Sequence, residues 1–292
     1  MRKKQYTYEP WHWREELPLV LLALPGILGL LIFYVIPFLL SFSYSLVDNN
    51  VTRNFVGLWN YRDLFTSGAF TLGLKNTGIF MATCVPLNLV FPLCLALLLQ
   101  KAPKMSKIFG LLFLLPLVIP SGSVVHFWKS IWDLNGLVNR IFYPDAPINW
   151  LNTNACRTII TIVFLWKNAG YNMVLFLAGL RAIPKEYYEC AAVEGAGAWG
   201  KFYRVTLPCI VPTAFLVFIL SIINSFKSFK EIYLICGAYP HQSIYMLQHF
   251  MNNQFSALNY QKLTAGAYVL SLFIVGLVLI LYRFQNKRAR DL

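Results

Sequence analysis

Ala182-Ile183-Pro184-Lys185-Glu186-Tyr187-Tyr188-Glu189-Cys190-Ala191-Ala192-Val193-Glu194-Gly195-Ala196-Gly197-Ala198-Trp199-Gly200-Lys201-Phe202-Tyr203-Arg204-Val205-Thr206-Leu207-Pro208 is a charged island between two long apolar runs. The runs at 158–180 and 209–234 each exceed the roughly twenty residues a helix needs to cross a bilayer, so the island reads as a loop on one membrane face. Pro184 suits a first helical turn, where its missing N–H is no loss, and Glu186 then lies near the positive end of the helix dipole. Residues 184–194 are therefore predicted as a short helix. Gly195, Ala196 and Gly197 permit a sharp change of direction after it. Trp199, Phe202 and Tyr203 are expected to pack a second short helix against the membrane domain, leaving Lys201 and Arg204 toward water. The small Ala191 and Ala192 would let a partner approach the backbone closely. This is the geometry of a docking element, although an interfacial linker without a partner fits the same local physics.

The rest of the chain repeats the apolar pattern. Of 292 residues, 58% are hydrophobic and only 13% charged, about half the charge a soluble domain of this length carries. Spans are expected at 18–46, 74–99, 108–128, 158–180, 209–234 and 264–283, several of them kinked by Pro25, Pro37, Pro86, Pro92, Pro116, Pro120 or Pro212. The expected fold class is an all-α membrane protein with six transmembrane helices. Its parts are an N-terminal arm (1–17), a transmembrane domain (18–283) containing the loop at 181–208, and a short tail (284–292). The first apolar run is too long for the core of a cleaved signal peptide.

Basic residues set the orientation. Arg2, Lys3, Lys4 and Arg14, then Lys101, Lys104 and Lys107, then Arg181, Lys185, Lys201 and Arg204, and finally Arg283, Lys287, Arg288 and Arg290 fall on one side. Arg53, Arg62, Arg140 and Lys262, with Lys129 and Arg157 at loop edges, fall on the other. The positive-inside rule then makes both termini cytoplasmic, as an even number of spans requires. The net charge of +13 sits in these short blocks and points to lipid headgroups, not to nucleic acid. In the arm, Tyr6, Tyr8, Trp11 and Trp13 suit the inner interface.

Catalytic and metal chemistry find little support. The sequence holds no G-x-x-x-x-G-K-[ST] phosphate loop and no G-x-S-x-G elbow, so no enzyme activity and no cofactor of its own is expected. His12, His126, His241 and His249 form no metal motif. Cys84, Cys94, Cys156, Cys190, Cys209 and Cys236 show no C-x-x-C spacing and read mostly as small buried apolar residues. The polar interruptions of the spans carry more information, since unpaired polarity in hydrocarbon is expensive. One is Trp166-Lys167-Asn168-Ala169-Gly170-Tyr171-Asn172; the other is Asn224, Ser225, Lys227, Ser228 and Lys230. Asn168 and Asn172, one turn apart, fit a role as helix glue, and the lysines fit snorkelling. The same residues fit a solute path, for which Trp166, Asn168, Asn172, Asn224 and Lys227 are the candidates. An aromatic face meets the apolar face of a sugar and amides meet its hydroxyls, while Lys227 and Lys230 leave an anionic solute open.

The loop resembles that of permease subunits in binding-protein-dependent ABC importers of the maltose and sn-glycerol-phosphate group. The family pattern is Glu-Ala-Ala, three residues, Gly, nine residues, an aliphatic residue, one residue, Leu-Pro. Glu189-Cys190-Ala191, Gly195, Val205 and Leu207-Pro208 match it in register, with Cys190 replacing the first alanine and Glu194 standing where the family usually has aspartate. Phe55-Val-Gly-Leu-Trp-Asn-Tyr61, Lys75-Asn76-Thr77, Leu177-Ala-Gly-Leu-Arg-Ala-Ile-Pro184 and Phe226-Lys-Ser-Phe229 extend the likeness over about residues 18–283. The resemblance implies the transmembrane-domain fold of a type I ABC importer in a bacterial or archaeal cell membrane. It implies that Tyr187, Tyr188, Glu189, Ala191, Glu194 and Gly195 couple to an ATPase. It also implies a second homologous permease, two ATPase subunits that bind the ATP and Mg, and an extracytoplasmic solute-binding protein. Without it, an ion-driven secondary carrier or a non-transporting scaffold would stay open. A carrier should show intramembrane carboxylates or an internal repeat, and these spans contain almost no carboxylates.

Overall fold

The computed structural model describes residues 13–291; the arm residues Tyr6, Tyr8 and Trp11 lie outside them. Among the described residues every regular element is helical, apart from one antiparallel bridge between Val47 and Phe55. In chain order these are α1 (Trp13–Leu30), α2 (Ile36–Ser45), α3 (Trp59–Thr66), α4 (Gly68–Gln100), α5 (Pro103–Val118), α6 (Ser121–Trp132) and α7 (Leu137–Phe142). They continue with α8 (Ala155–Arg181), α9 (Lys185–Val193), α10 (Ala198–Lys201), α11 (Leu207–Lys227), α12 (Phe229–Cys236), α13 (Leu247–Ser256) and α14 (Tyr260–Asp291).

Among the described residues five runs are long and apolar enough to cross a membrane: Val20–Ser45, Gly68–Gln100, Ala155–Arg181, Ala198–Cys236 and Tyr260–Ile280. A sixth is broken, since Ile108–Val118 and Ser121–Phe142 meet at 99°. The protein is thus an all-α, multi-pass membrane protein with five to six apolar spans. The span expected at 108–128, with kinks at its prolines, is instead broken outright, and the reason is local. A residue before proline is driven out of the α region, and Ile119, before Pro120, has φ −66° and ψ 130°. Pro120 becomes the cap of a new helix.

Two prolines act more gently. π turns occupy Leu31–Val35 and Phe202–Thr206, closed by the Ile36 N–H on Leu31 O and the Leu207 N–H on Phe202 O. Each turn is followed by one residue and then a proline, Pro37 or Pro208. A proline supplies no N–H to the carbonyl four residues back, and a widened turn relieves the crowding its ring would cause there.

The chain divides into two compact units. One comprises the residues up to Phe65 with those from Gln254 on. Within it α2 packs on α14, where the Tyr268 ring lies 4.7 Å from Phe38 and 5.1 Å from Phe42. The Tyr268 hydroxyl donates to Phe38 O. Lys262 pairs with Asp63 at 2.7 Å. The apolar side chains of α1, such as Leu22, are widely exposed, as lipid-facing surface should be.

The other unit, Thr66–Asn253, is organised around α8, which packs against α4, α5 and α11. Phe80, Cys84, Phe164 and Ile232 belong to one buried apolar cluster and Ala96, Met173, Phe176 and Val217 to a second. The approach of α5 to α8 depends on Gly170, where an added Cβ would stand 1.8 Å from Phe113 O. Backbone cannot yield that much without moving a helix. Gly170→Ala should therefore lower stability in detergent by about 3 kcal/mol, read as a drop in thermal midpoint and in monodisperse yield. Gly78→Ala, at a position with open space, should be nearly silent.

Candidate functional site

The loop between α8 and α11 is built from the residues the sequence singled out. Pro184 caps α9, Glu186 lies in its first turn, and all residues of the helix are at least partly exposed. Its C-terminus is a Schellman motif: the Gly195 N–H donates to Ala192 O at 3.0 Å and the Ala196 N–H to Ala191 O at 2.9 Å. Gly195 takes φ +78°, the left-handed region that disfavours side chains. The motif glycine therefore ends the helix and turns the chain toward α10.

The two faces of α9 have separate tasks. Tyr188 and Ala191, three residues apart, pack against the second apolar cluster, and the Tyr188 hydroxyl lies 3.0 Å from Thr206 Oγ1 in the π turn that leads into α11. Ala191 thus contacts the protein's own core and is partly exposed, while Ala192 is exposed. Tyr187, Glu189 and Glu194 are exposed, Val193 is 91% exposed, and neither Glu189 nor Glu194 has a salt-bridge partner among the described residues. Beside them Trp199 and Tyr203 stack on each other at 6.1 Å and remain 74% and 59% exposed. These rings were expected to pack on the membrane domain; the buried residues there are instead Val205 and Thr206. The surface presented is apolar, aromatic and rimmed by free carboxylates.

A second polar centre lies within the apolar spans. Lys167 of α8 forms an ion pair with Glu231 of α12, and Ser121 Oγ, at the first residue of α6, donates to the same carboxylate oxygen at 2.8 Å. Lys167, Asn168, Ser228 and Glu231 line one narrow cavity. Trp166, the residue before Lys167, stacks on Phe127 at 5.8 Å and meets Trp128 edge-on at 5.6 Å. Another cavity, of about 530 Å³, is lined by Trp166, Phe109, Phe113 and other mainly apolar side chains.

Of the predicted path residues, the structure brings Asn168 to this centre, whereas Trp166 lines the apolar cavity. Asn168 also bonds back to Phe164 O on its own helix. Asn172 is fully buried and reaches Asn88 O at 3.4 Å, while Asn88 Nδ2 donates to Ser221 Oγ at 2.9 Å. That trio joins α8, α4 and α11 and is helix glue in this conformation. Asn224 is half-buried and Lys227 is exposed at the end of α11. Glu231, Ser121, Asn88 and Ser221 escaped the sequence reading, although a carboxylate in an apolar window was a visible signal for the first.

Outside the spans, His249 of α13 is fully buried. Its Nδ1 accepts the Met246 N–H at 3.1 Å, and Phe229 and Tyr245 enclose the ring at 5.0 and 5.7 Å. Burial pushes the imidazole down to about 4, so it is neutral at physiological pH.

Comparison with known proteins gives this geometry a context. Residues 76–291 match the family model described as binding-protein-dependent transport system inner membrane component. The chain is 34% identical over 279 residues to the Probable ABC transporter permease protein YesP of Bacillus subtilis, covering 90% of this chain and 88% of that one. It is 28% identical to the sn-glycerol-3-phosphate transport system permease protein UgpA of Yersinia enterocolitica, covering 92% and 94%. It is 30% identical to the lactose transport system permease protein LacF of Rhizobium radiobacter, covering 79% and 77%. Among solved structures, a chain of a bacterial ABC transporter that imports the acidic polysaccharide alginate superposes with a TM-score of 0.83 at 22% identity, covering 94% and 97%. The fold is thus that of a type I ABC importer transmembrane domain.

Two outcomes follow from these contacts. Removing one partner of a desolvated pair strands the other, so Glu231→Ala should destabilise by about 3 kcal/mol, whereas the apolar double variant Lys167→Met with Glu231→Leu should melt close to the parent. His249, ordinarily near 6.5, binds a proton in the unfolded chain at a pH where the folded chain does not. Stability should therefore fall as pH drops from about 6.5 to about 4, by on the order of 3 kcal/mol, and fall no further below that from this group. In thermal melts across that range, His249→Asn, which keeps an acceptor for the Met246 N–H, should flatten the slope.

Proposed function

This chain belongs to the family of binding-protein-dependent transport system inner membrane components, and we propose that it carries a sugar or oligosaccharide through an ATP-driven importer. It is a membrane translocation subunit of an ABC importer, which leaves no place for the carrier and scaffold readings. The observation that carries the solute class is the pairing of Lys167 with Glu231: the polar centre is charge-neutral, and Trp166, the residue before Lys167 on the same helix, stacks on Phe127. A neutral polyhydroxylated solute has use for an aromatic face and for hydrogen-bonding groups without net charge, while an anion would have to displace Glu231 from Lys167. Similarity to a lactose permease and, at 30% identity, to the trehalose/maltose permease MalF of Thermococcus litoralis supports the same class. An anionic solute is the second reading, favoured by the exposed Lys227 and Lys230 at the α11–α12 joint and by the likeness to a glycerol-3-phosphate permease.

The distribution of basic residues supports an orientation with both termini in the cytoplasm. In that orientation α9 faces two ATPase subunits, which bind the ATP and Mg, and Tyr187, Glu189, Glu194 and the Gly195 turn meet them, while Tyr188 and Ala191 hold the helix to the membrane domain. A second permease completes the solute path and a solute-binding protein delivers from outside. Closure of the ATPase pair on ATP moves α9 and turns the path outward; hydrolysis resets it. Membrane lipid surrounds the complex.

Purification in mild detergent should recover a second permease and an ATPase with the wild-type chain. Glu189→Ala should lose the ATPase selectively, because a charge-assisted contact to the partner is worth a few kcal/mol. In the reconstituted complex, ATPase activity should rise with neutral oligosaccharides delivered by the binding protein and stay flat with glycerol phosphates. The reverse pattern would select the anionic reading, and a chain that purifies alone would remove the coupling role.

A further inference from the structure

Six cysteines are spread along the sequence, yet two of them touch. Cys156 lies in the first turn of α8 and Cys236 is the last residue of α12, eighty positions later, and their Sγ atoms are 3.4 Å apart. Of the other four, Cys84 bonds Thr161 Oγ1, while Cys94 and Cys190 are exposed and Cys209 is half-buried; among the described residues none of them meets a thiol. The pair also has an order of access. Cys156 is fully buried, whereas Cys236 is half-buried.

We propose that Cys156 and Cys236 are a disulfide-forming pair, oxidised on the extracytoplasmic side, that staples the end of α12 to the start of α8. The sidedness rests on the orientation given above, which puts the segment before α8 and the segment after α12 outside. Oxidising surroundings there favour disulfides, and the cytoplasm does not. A disulfide bond is about 2.0 Å long, so the sulfurs have to close by about 1.4 Å. The joint for that movement is adjacent, because Gly237 at φ +81° ends α12 directly after Cys236.

The oxidant required is a disulfide, RSSR, carried by an extracytoplasmic thiol–disulfide oxidoreductase or a small molecule. The Cys236 thiolate attacks one of its sulfurs, forming a mixed disulfide and releasing RS⁻. The Cys156 thiolate then attacks the Cys236 sulfur, closing the Cys156–Cys236 bond and releasing the second RS⁻. The two protons lost by the cysteines end on the two released thiols, so two protein thiols and RSSR become one protein disulfide and two RSH. The bond would be a second tie between the helices that Lys167 and Glu231 already join, holding α12 in place at its outer end.

The test uses the full chain with its partner subunits in native membranes. Thiols are trapped in intact cells with N-ethylmaleimide, and the digest is read by mass spectrometry. Expected is a linked peptide joining Cys156 to Cys236 that disappears on dithiothreitol, together with a fall of several degrees in thermal midpoint on reduction that Cys156→Ser does not show. Asp145→Cys in a Cys156→Ser, Cys236→Ser background, probed with an impermeant maleimide, reports the side of the segment before α8. Maleimide adducts on both native cysteines with an outward-reacting reporter would overturn the pair and leave the orientation standing. Adducts on both with a reporter that reacts only after permeabilisation would overturn the orientation and the proposed oxidation together. Failure of the linked peptide to form even with excess oxidised glutathione in purified complex would overturn the geometry itself.

Discussion

The carboxylate of Glu231 is where three helices of this protein meet, and hydrocarbon makes the meeting obligatory. An unpaired charge in a span costs several kcal/mol, so Glu231 has to find partners within reach of α12. It finds Lys167 from α8 and Ser121 from α6. The second contact comes from the first residue of the helix that starts where Pro120 breaks the apolar run. An apolar residue at 231 would leave the Ser121 hydroxyl without this acceptor.

The same constraint orders the other departures from regular helix. Each backbone break inside an apolar window must satisfy its own polar groups, since no water is at hand. The π turns do so by bonding five residues back, and Ser228 does so by donating both its N–H and its hydroxyl to Asn224 O across the α11–α12 joint. The buried amides of Asn88 and Asn172 show the limit of this economy. Each keeps one side-chain oxygen without a hydrogen-bond partner among the described residues.

What was legible from the amino-acid sequence was whatever local chemistry determines. The apolar windows, the cap at Pro184, the helix at 184–194 and the turn at Gly195 follow from hydrophobicity, dipole and left-handed backbone, and they stand in the structure at those residues. The pre-proline rule also applied to Ile119, but a run of apolar residues long enough to span outweighed it. Tertiary pairing was out of reach. Nothing near Lys167 in the sequence indicates that its counter-ion lies 64 positions away, and nothing near Cys156 indicates Cys236. The inward face of α9 was hidden for a related reason. Tyr188 and Ala191 look available on a short exposed helix until the second apolar cluster is seen packed against them.

That inward face matters for how movement would travel in the proposed importer. The run Ala198–Cys236 is one apolar stretch of helix that begins beside α9 and ends beyond Glu231. At its start Tyr188 and Thr206 join α9 to the π turn; at Ser228 it has a joint, and at Glu231 it is held to α8 and α6. A push on α9 therefore acts on the same stretch that carries the polar centre. A rigid run fixed at both ends transmits little, whereas one with a π turn at one end and a serine joint near the other has two places to bend without breaking hydrogen bonds. Coupling needs an element with two discrete arrangements. The segment between the π turn and Glu231 is the part of this chain whose bonding pattern allows a second one, because the π turn at its start is closed by a bond five residues back that a small change of register would replace with an ordinary helical one.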